Sequence, residues 1–408
     1  MKGLHLHRAA LLVPVLTPPI KNGAVLTRDN MVLGLGSFKE LKKQAPIGTK
    51  VIDHGELILT PALVNCHCHL GLSWLNGKIP KGLGFSGWLK AIMDYISREE
   101  DDDPDARICD AVIKGLSLSR DAGVCLVGDV SNVFYPLCLN KDISSNYLLI
   151  HLFLEKIHPL PEPLGLEKPA FPAPLPASFS FSAHSVYTCS RKALRAIKKA
   201  CKKDNLPFSI HISESKEELE FVKTAAGPIS DILKERKRDV EGFFKTAPSP
   251  VAILEQEGVL DERTICVHCT FLDEADLKAL SKSGAWICLC PESNRYIHGE
   301  LPRADRIFEQ TNRVCLGTDS LASNDNLSIF SQLRSLYNAF PSIDPERLFR
   351  AATYGGARAI GYERRVGAIL QGADARLLAI LGFTGAKKEV FDFLCSEALE
   401  ERIESVGT

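Results

Sequence analysis

His67 and His69, in the run Cys66-His67-Cys68-His69, follow directly on the apolar stretch Leu57 to Val64. Alternate side chains of a strand face the same side, so both imidazoles point one way and can chelate a divalent cation. Three later segments each offer one more ligand or proton carrier: His211-Ile212-Ser213-Glu214, Val267-His268 and Gly317-Thr318-Asp319. Imidazole nitrogens with one carboxylate suit zinc, or ferrous iron as the alternative, whereas Ca²⁺ and Mg²⁺ prefer oxygen shells. Such a cation lowers the pKa of bound water from about 15.7 towards 7, so the expected chemistry is hydrolysis. Glu214 lies three residues beyond His211, where it can reach an open coordination position without being consumed as a ligand. It is the expected proton carrier. The competing reading is a carboxylate favoured by the positive end of a helix.

These groups act together only if the fold brings them together. From residue 1 to about 58 the pattern is short strands, namely Ala9 to Leu16, Ala24 to Leu26, Met31 to Leu35 and Leu57 to Leu59, with a turn expected at Asn22-Gly23. After Pro61, apolar runs alternate with amphipathic stretches, as expected of βα units around a parallel sheet. Eight strand candidates emerge: Leu63 to Cys66, Val124 to Asp129, Leu148 to Leu154, Ser178 to Ala183, Phe208 to Ile212, Thr264 to His268, Ala285 to Cys290 and Arg313 to Gly317. Helices are expected over Asp105 to Ser119, Ser190 to Lys203, Glu214 to Thr224, Asp273 to Lys282 and Leu327 to Phe340. Eight such units make an α/β fold of the TIM (β/α)8 barrel type, whose functional side chains sit at the carboxyl ends of the strands. His67, His69, His211, His268 and Asp319 all meet that requirement. His5-x-His7 repeats the spacing in a short N-terminal strand without a supporting ligand, and no metal is expected there.

Between the third and fourth strands stand seven prolines, at 159, 161, 163, 169, 172, 174 and 176, a density that excludes helix and leaves a spacer or a rigid flap as open readings. The tail from Val366 to about Leu381 returns to short apolar runs, and Val390 to Ile403 reads as strand or helix. The division expected is residues 1–58 with 362–408 in one discontinuous unit and residues 59–361 in the barrel.

Lys and Arg number 49 against 50 Asp and Glu, so no global positive field exists to attract a phosphate backbone, and nucleic acid is not an expected partner. Thirteen cysteines in 408 residues are too sparse for a disulfide scaffold, and a reducing cytoplasm fits best. No apolar stretch approaches the roughly 20 residues that cross a bilayer. The expected partner is a small-molecule substrate, with a homodimer left open.

His67-x-His69, His211-x-x-Glu214, His268 and Asp319 together resemble the amidohydrolase superfamily, in its mononuclear deaminase branch. The flanking words Thr60-Pro61-Ala62-Leu63-Val64-Asn65, Pro291-Glu292-Ser293-Asn294 and Gly317 to Asn324 agree. This resembles the group of nucleoside deaminases, guanine deaminase and triazine chlorohydrolases. The resemblance implies that His67, His69, His211 and Asp319 hold one metal ion, that Glu214 shuttles protons, that His268 orients the attacking water, and that Asp319 doubles as base. It also implies a β-sandwich built from both chain ends, and substrate contacts at His184 and Glu292. Trp74 and Trp88 lie in the loop expected to overhang the site, where an indole can stack on a flat heterocycle or pack the loop. The bridging lysine of binuclear relatives has no counterpart in Ser178 to Ser190. Cys66 and Cys68 alternate away from the histidines and read as packing residues.

The resemblance implies deamination of an aminated heterocycle. Adenine nucleosides such as methylthioadenosine, adenosylhomocysteine or aminodeoxyfutalosine lead. Ser86-Gly87-Trp88-Leu89 stands where related deaminases often carry Glu-Glu-Trp-Leu, which argues against ordinary ribose recognition. Triazine dechlorination, guanine or cytosine deamination, and a catalytically silent binding barrel are the alternatives.

Overall fold

Eight buried apolar runs form two four-stranded parallel sheets in the computed structural model, which describes residues 3–98, 103–135, 148–157, 165–166, 177–236, 246–396 and 402–406. Ahead of them come β1 (Leu4–Leu12), β2 (Ile20–Arg28), β3 (Met31–Ser37), β4 (Lys50–Asp53) and β5 (Ile58–Pro61). The first parallel sheet has the order β6 (Leu63–Cys68), β7 (Val124–Ser131), β8 (Leu149–Lys156), β9 (Ala177–Ala183). The second has β10 (Phe208–Ile212), β11 (Thr264–His268), β12 (Trp286–Leu289), β13 (Val314–Leu316). All residues of β6, β10, β11, β12 and β13 are buried, which is why these strands read as continuous apolar runs and not as alternating ones. Single parallel bridges, Ser185 with His211 and Cys68 with Asp319, link the two sheets where β9 gives way to β10 and where β13 meets β6.

Helices follow the strands and start where the sequence supplies caps. Ser190 accepts from Ala193 N–H ahead of Arg191–Lys203, Ser215 from Glu218 N–H ahead of Lys216–Thr224, and Asp273 from Asp276 N–H ahead of Glu274–Ser283. Each such cap is worth about 1 kcal/mol. The expected helix from Glu214 therefore begins two residues later, because Ser215 is the cap and Ser213 has φ 51°. That shift leaves Glu214 in the loop between strand and helix.

Both ends of the chain share one seven-stranded sheet, with β14 (Leu377–Ile380) paired to β5 and to β15 (Ile403–Val406). Val390–Ser396 is helix, so the ambiguous tail divides into a helix and a strand. Two sequence expectations fail here. β1 runs Leu4–Leu12, not to Leu16, because Pro14 cannot donate to the ladder and Val15 has φ 79°. Asn22-Gly23 is no hairpin turn but lies inside β2, opposite Ala9, where a Cβ on Gly23 would stand 2.4 Å from Leu12 Cβ. Glycine is required there for close approach of two strands. The proline-rich segment lies outside the described residues except for Gly165 and Leu166.

Among the described residues eleven cysteines are free and buried, and Cys109 is disulfide-bonded. No helix among the described residues is long and apolar enough to cross a membrane.

Candidate active site

The ends of β6, β10, β11 and β13 converge. His67 and His69 come from β6 and the residue just past it, His211 from β10, and Asp319 from the turn three residues after β13. His67 Nε2 and His69 Nε2 each lie 3.2 Å from His211 Nε2, and Asp319 Oδ1 lies 3.5 Å from His67 Nε2 and 3.4 Å from His69 Nε2. Four donor atoms around a zinc ion with bonds of about 2.0–2.1 Å would stand roughly 3.3 Å apart, so the observed edges match. His211 Nδ1 donates to the His184 carbonyl at 2.8 Å, so its Nε2 carries a lone pair and no proton. Lone pairs aimed at one point repel one another unless a cation sits between them. The donor set therefore fits a single transition-metal ion.

Backbone hydrogen bonds hold this geometry. Thr318 N–H and Asp319 N–H both donate to His67 O at 3.0 Å, and Asn65 donates through Nδ2 to Thr318 Oγ1 at 2.8 Å. Gly317 permits the approach, since a Cβ there would stand 2.8 Å from both His67 Cβ and His67 O. Asp319 Oδ2 accepts from Ser293 Oγ at 2.7 Å and from Ser323 Oγ at 2.5 Å, which leaves Oδ1 to face the imidazoles. Asp319 and His268 hold φ of 58° and 70°, a left-handed backbone that costs a non-glycine residue of order 1 kcal/mol or more.

Burial dominates the ionisation of the group. It pushes His69 down to about 3 and His268 down to about 4, and holds His211 well below the ordinary imidazole range, with His67 and His184 adding repulsion at His211. All three rings are neutral at neutral pH, which leaves His69 and His211 free to act as ligands. Burial would raise Asp319, but the hydrogen bond to His67 and the nearby His69 and His268 rings outweigh it and hold the carboxyl well below its usual range.

Glu214 Oε1 lies 3.5 Å from His268 Nε2, and Glu214 is buried. Burial, then the neighbouring Asp319 charge, raises its pKa well above that of an ordinary carboxyl group. Its backbone N–H donates to Glu218 Oε2 at 2.8 Å, which ties the loop to the helix that follows. His268 Nδ1 faces Asn294 Nδ2 at 3.4 Å, an arrangement in which the amide donates and Nε2 keeps the ring proton on the Glu214 side.

The remaining expected contacts divide. His184 lies beside the cluster, its ring centroid 5.1 Å from that of His211 and its Nδ1 2.9 Å from Thr188 Oγ1. Trp74 lines a pocket of about 280 Å³ together with His69, and Arg107 stacks 4.3 Å over its ring. Trp88 donates its indole N–H to Ala322 O at 2.9 Å and packs against the loop after β13. Glu292 pairs with Arg295 at 2.9 Å and does not join the donor cluster. Cys66 and Cys68 turn their thiols to Gly356 O and to Gly128 O and Asp129 Oδ1, away from the cluster.

Two buried carboxyls went unanticipated. Glu155, at the end of β8, lies 3.8 Å from His211 Nδ1 and lines the pocket beside His69; burial raises it to about 8. Glu155, His184 and His211 form a second group of potential ligand atoms, but the Nδ1 of His211 is already given to the His184 carbonyl. Asp129, near the end of β7, accepts from Leu70 N–H at 2.7 Å and from Tyr135 O–H at 2.5 Å, which anchors the turn leaving β6. Both occupy the strand-end position already used to pick the histidines.

The model of the Amidohydrolase family matches residues 178–397. The 5-methylthioadenosine/S-adenosylhomocysteine deaminase of Syntrophobacter fumaroxidans is 26% identical over 386 residues, covering 88% of this chain and 80% of that protein. The aminodeoxyfutalosine deaminase of Deinococcus radiodurans is 24% identical over 368 residues, covering 83% and 81%. Among solved structures, the Helicobacter pylori aminofutalosine deaminase in complex with methylthio-coformycin superposes with a TM-score of 0.83 at 21% identity, over 98% of this chain and 97% of that one, a likeness of fold.

Proposed function

Because the chain belongs to the amidohydrolase family, we propose that it is a metal-dependent hydrolytic deaminase acting on an aminated heterocycle, with an adenine nucleoside derivative as substrate. The observation that carries this reading is Glu214, a buried carboxyl of raised pKa set against His268 at the rim of a four-donor cluster. His67, His69, His211 and Asp319 would hold the ion, with zinc preferred over ferrous iron for this donor set. When bound, the ion supplies Lewis acidity and activates water at neutral pH.

The chain's own groups do the rest. Glu214 takes one proton from the attacking water and delivers it to the ring nitrogen, where the product keeps it. His268 Nε2–H polarises the oxygen as charge develops on it. Asp319 Oδ1, held by the two serine bonds on Oδ2, accepts the second proton of water and passes it to the departing amine, which leaves as ammonia. His184 contacts the substrate from the neighbouring strand end, Trp74 borders its pocket, and Trp88 and Glu292 support the loops around it.

The family fold supports closure of the two parallel sheets into one (β/α)8 barrel over residues 59–361. The seven-stranded sheet then belongs to a discontinuous β-sandwich over 1–58 and 362–408, with its strand β5 carrying that unit on to Pro61, three residues past the expected boundary. The names of relatives matched over about four-fifths of their length support methylthioadenosine, adenosylhomocysteine and aminodeoxyfutalosine as the first substrates to test. The test is ammonia release by zinc-loaded protein on these nucleosides beside adenosine, guanine, cytosine and a chlorotriazine. Release from an adenine nucleoside is expected. Chloride release alone, or no product from any compound, overturns the proposal.

A further inference from the structure

The second sheet has another end. Beside Trp286 and Val314, the first residues of β12 and β13 and thus opposite the end that leads to Asp319, lies a cavity of about 490 Å³, larger than the 280 Å³ pocket beside His69. Its walls carry Arg313, Arg347, Arg350 and Arg358 and include no aspartate or glutamate. The chain as a whole has a formal charge of −1, so this is a local concentration of positive charge and not part of a basic surface.

Aromatic rings hold these cations in place. The guanidinium carbons of Arg313 and Arg358 lie 5.5 and 5.6 Å from the Trp286 ring centroid, and those of Arg350 and Arg358 lie 5.5 and 5.8 Å from that of Tyr354. A guanidinium stacked on a ring keeps its in-plane N–H groups available, and that fork matches phosphate oxygens two at a time. Among the described residues, Arg313, Arg350 and Arg358 make no ion pair and no side-chain hydrogen bond. Arg347 is anchored instead, donating through Nη2 to Phe308 O at 2.5 Å and Asn312 Oδ1 at 2.7 Å at the end of the helix Ala304–Gln310. The cavity is also bordered by the π-helical turn Ala351–Gly355, a local geometry found frequently at functional sites. Like charges gathered without a counter-charge repel, and an anion removes that cost.

We infer that this cavity binds a small polyanion of the polyphosphate class, free or as the tail of a nucleotide. Three uncommitted forks, from Arg313, Arg350 and Arg358, border a space large enough for such a ligand with the anchored charge of Arg347 beside them, since small-molecule sites span about 300–1,000 Å³. The site is separate from the histidine cluster and does not depend on which heterocycle is deaminated there.

The test is calorimetric titration of the full-length, zinc-loaded protein at low ionic strength with inorganic tripolyphosphate, orthophosphate, ATP and AMP. Tripolyphosphate is expected to bind saturably at one site per chain, at least tenfold more tightly than orthophosphate. ATP binding as tightly as tripolyphosphate assigns the site to the phosphate chain alone, and tighter binding assigns it to a nucleotide. The double substitution R350Q/R358Q, at two exposed positions, is expected to weaken tripolyphosphate at least tenfold. R313Q provides an independent second variant with the same expected direction, and circular dichroism confirms that each is folded. Absence of saturable binding, or affinity unchanged in folded variants, overturns the assignment.

Discussion

His5 and His7 on β1 have the one-residue spacing of His67 and His69 at the end of β6, and each pair has a third imidazole beside it. The outcomes differ. His7 Nδ1 meets His54 Nε2 at 3.1 Å with the rings stacked, a hydrogen bond between one N–H and one lone pair that is complete in itself. At the other pair, three Nε2 atoms and a carboxylate oxygen converge, and the proton of His211 is already committed to a backbone carbonyl. Spacing places two rings on one side of a strand, while a carboxylate and an acceptor from distant strands make the group fit to hold a cation. That distinction is tertiary.

Asp319→Asn tests it most severely. Losing the only carboxylate of the donor set should reduce bound zinc to a small fraction and lower deaminase activity by about 10³-fold or more, whereas His5→Ala/His7→Ala should keep both at wild-type levels. Zinc measured by atomic absorption beside ammonia release checks the contrast. Equal loss in the two variants would sink it.

Glu214→Gln separates proton transfer from ligation at the same site. kcat should fall about 10²- to 10⁴-fold, with zinc stoichiometry unchanged and KM little altered. A variant that loses its metal would show Glu214 to be a ligand.

Gly317→Ala disturbs only the backbone approach. The added methyl meets His67, so stability should fall by about 1–3 kcal/mol and zinc should bind more weakly. Chemical denaturation in the presence and absence of zinc reads both effects, and an unaltered affinity would show that the approach of β13 to β6 does not set the donor geometry.

The smallest effect belongs to the ordinary pair. Burial, helped by the neighbouring His54 and His5, lowers His7 from 6.5 to about 4. Its folded-state pKa lies below the unfolded value, so the neutral ring favours folding above pH 6.5, and that contribution is lost as pH falls from 6.5 to about 4. In metal-free protein, His7→Leu should lessen the acid-induced loss of stability by about 1–2 kcal/mol. Parallel urea midpoints in both proteins across that range would refute the assignment.

The sequence made the donor set legible because strand ends are marked by apolar runs, and His67, His69, His211, His268 and Asp319 each terminate or follow one. The eight parallel strands were legible for the same reason. Glu155 and Asp129 escaped notice, although they lie near the ends of β8 and β7, because a lone acid after an apolar run resembles an ordinary strand boundary until burial is known. Asn22-Gly23 misled because turn chemistry is also the chemistry of a tight strand crossing. The arginine-lined cavity had no linear signature, since its four cations are scattered from 313 to 358 and only the fold of the π turn and the two strands gathers them.

The left-handed backbone at His268 and Asp319 has an evolutionary corollary. A descendant that abandoned catalysis could relax these two residues by accepting glycine or asparagine, and each replacement would relieve strain that activity alone maintains. Decayed copies of this enzyme should therefore tend towards greater thermal resistance than the working form, with changes concentrated at these two positions.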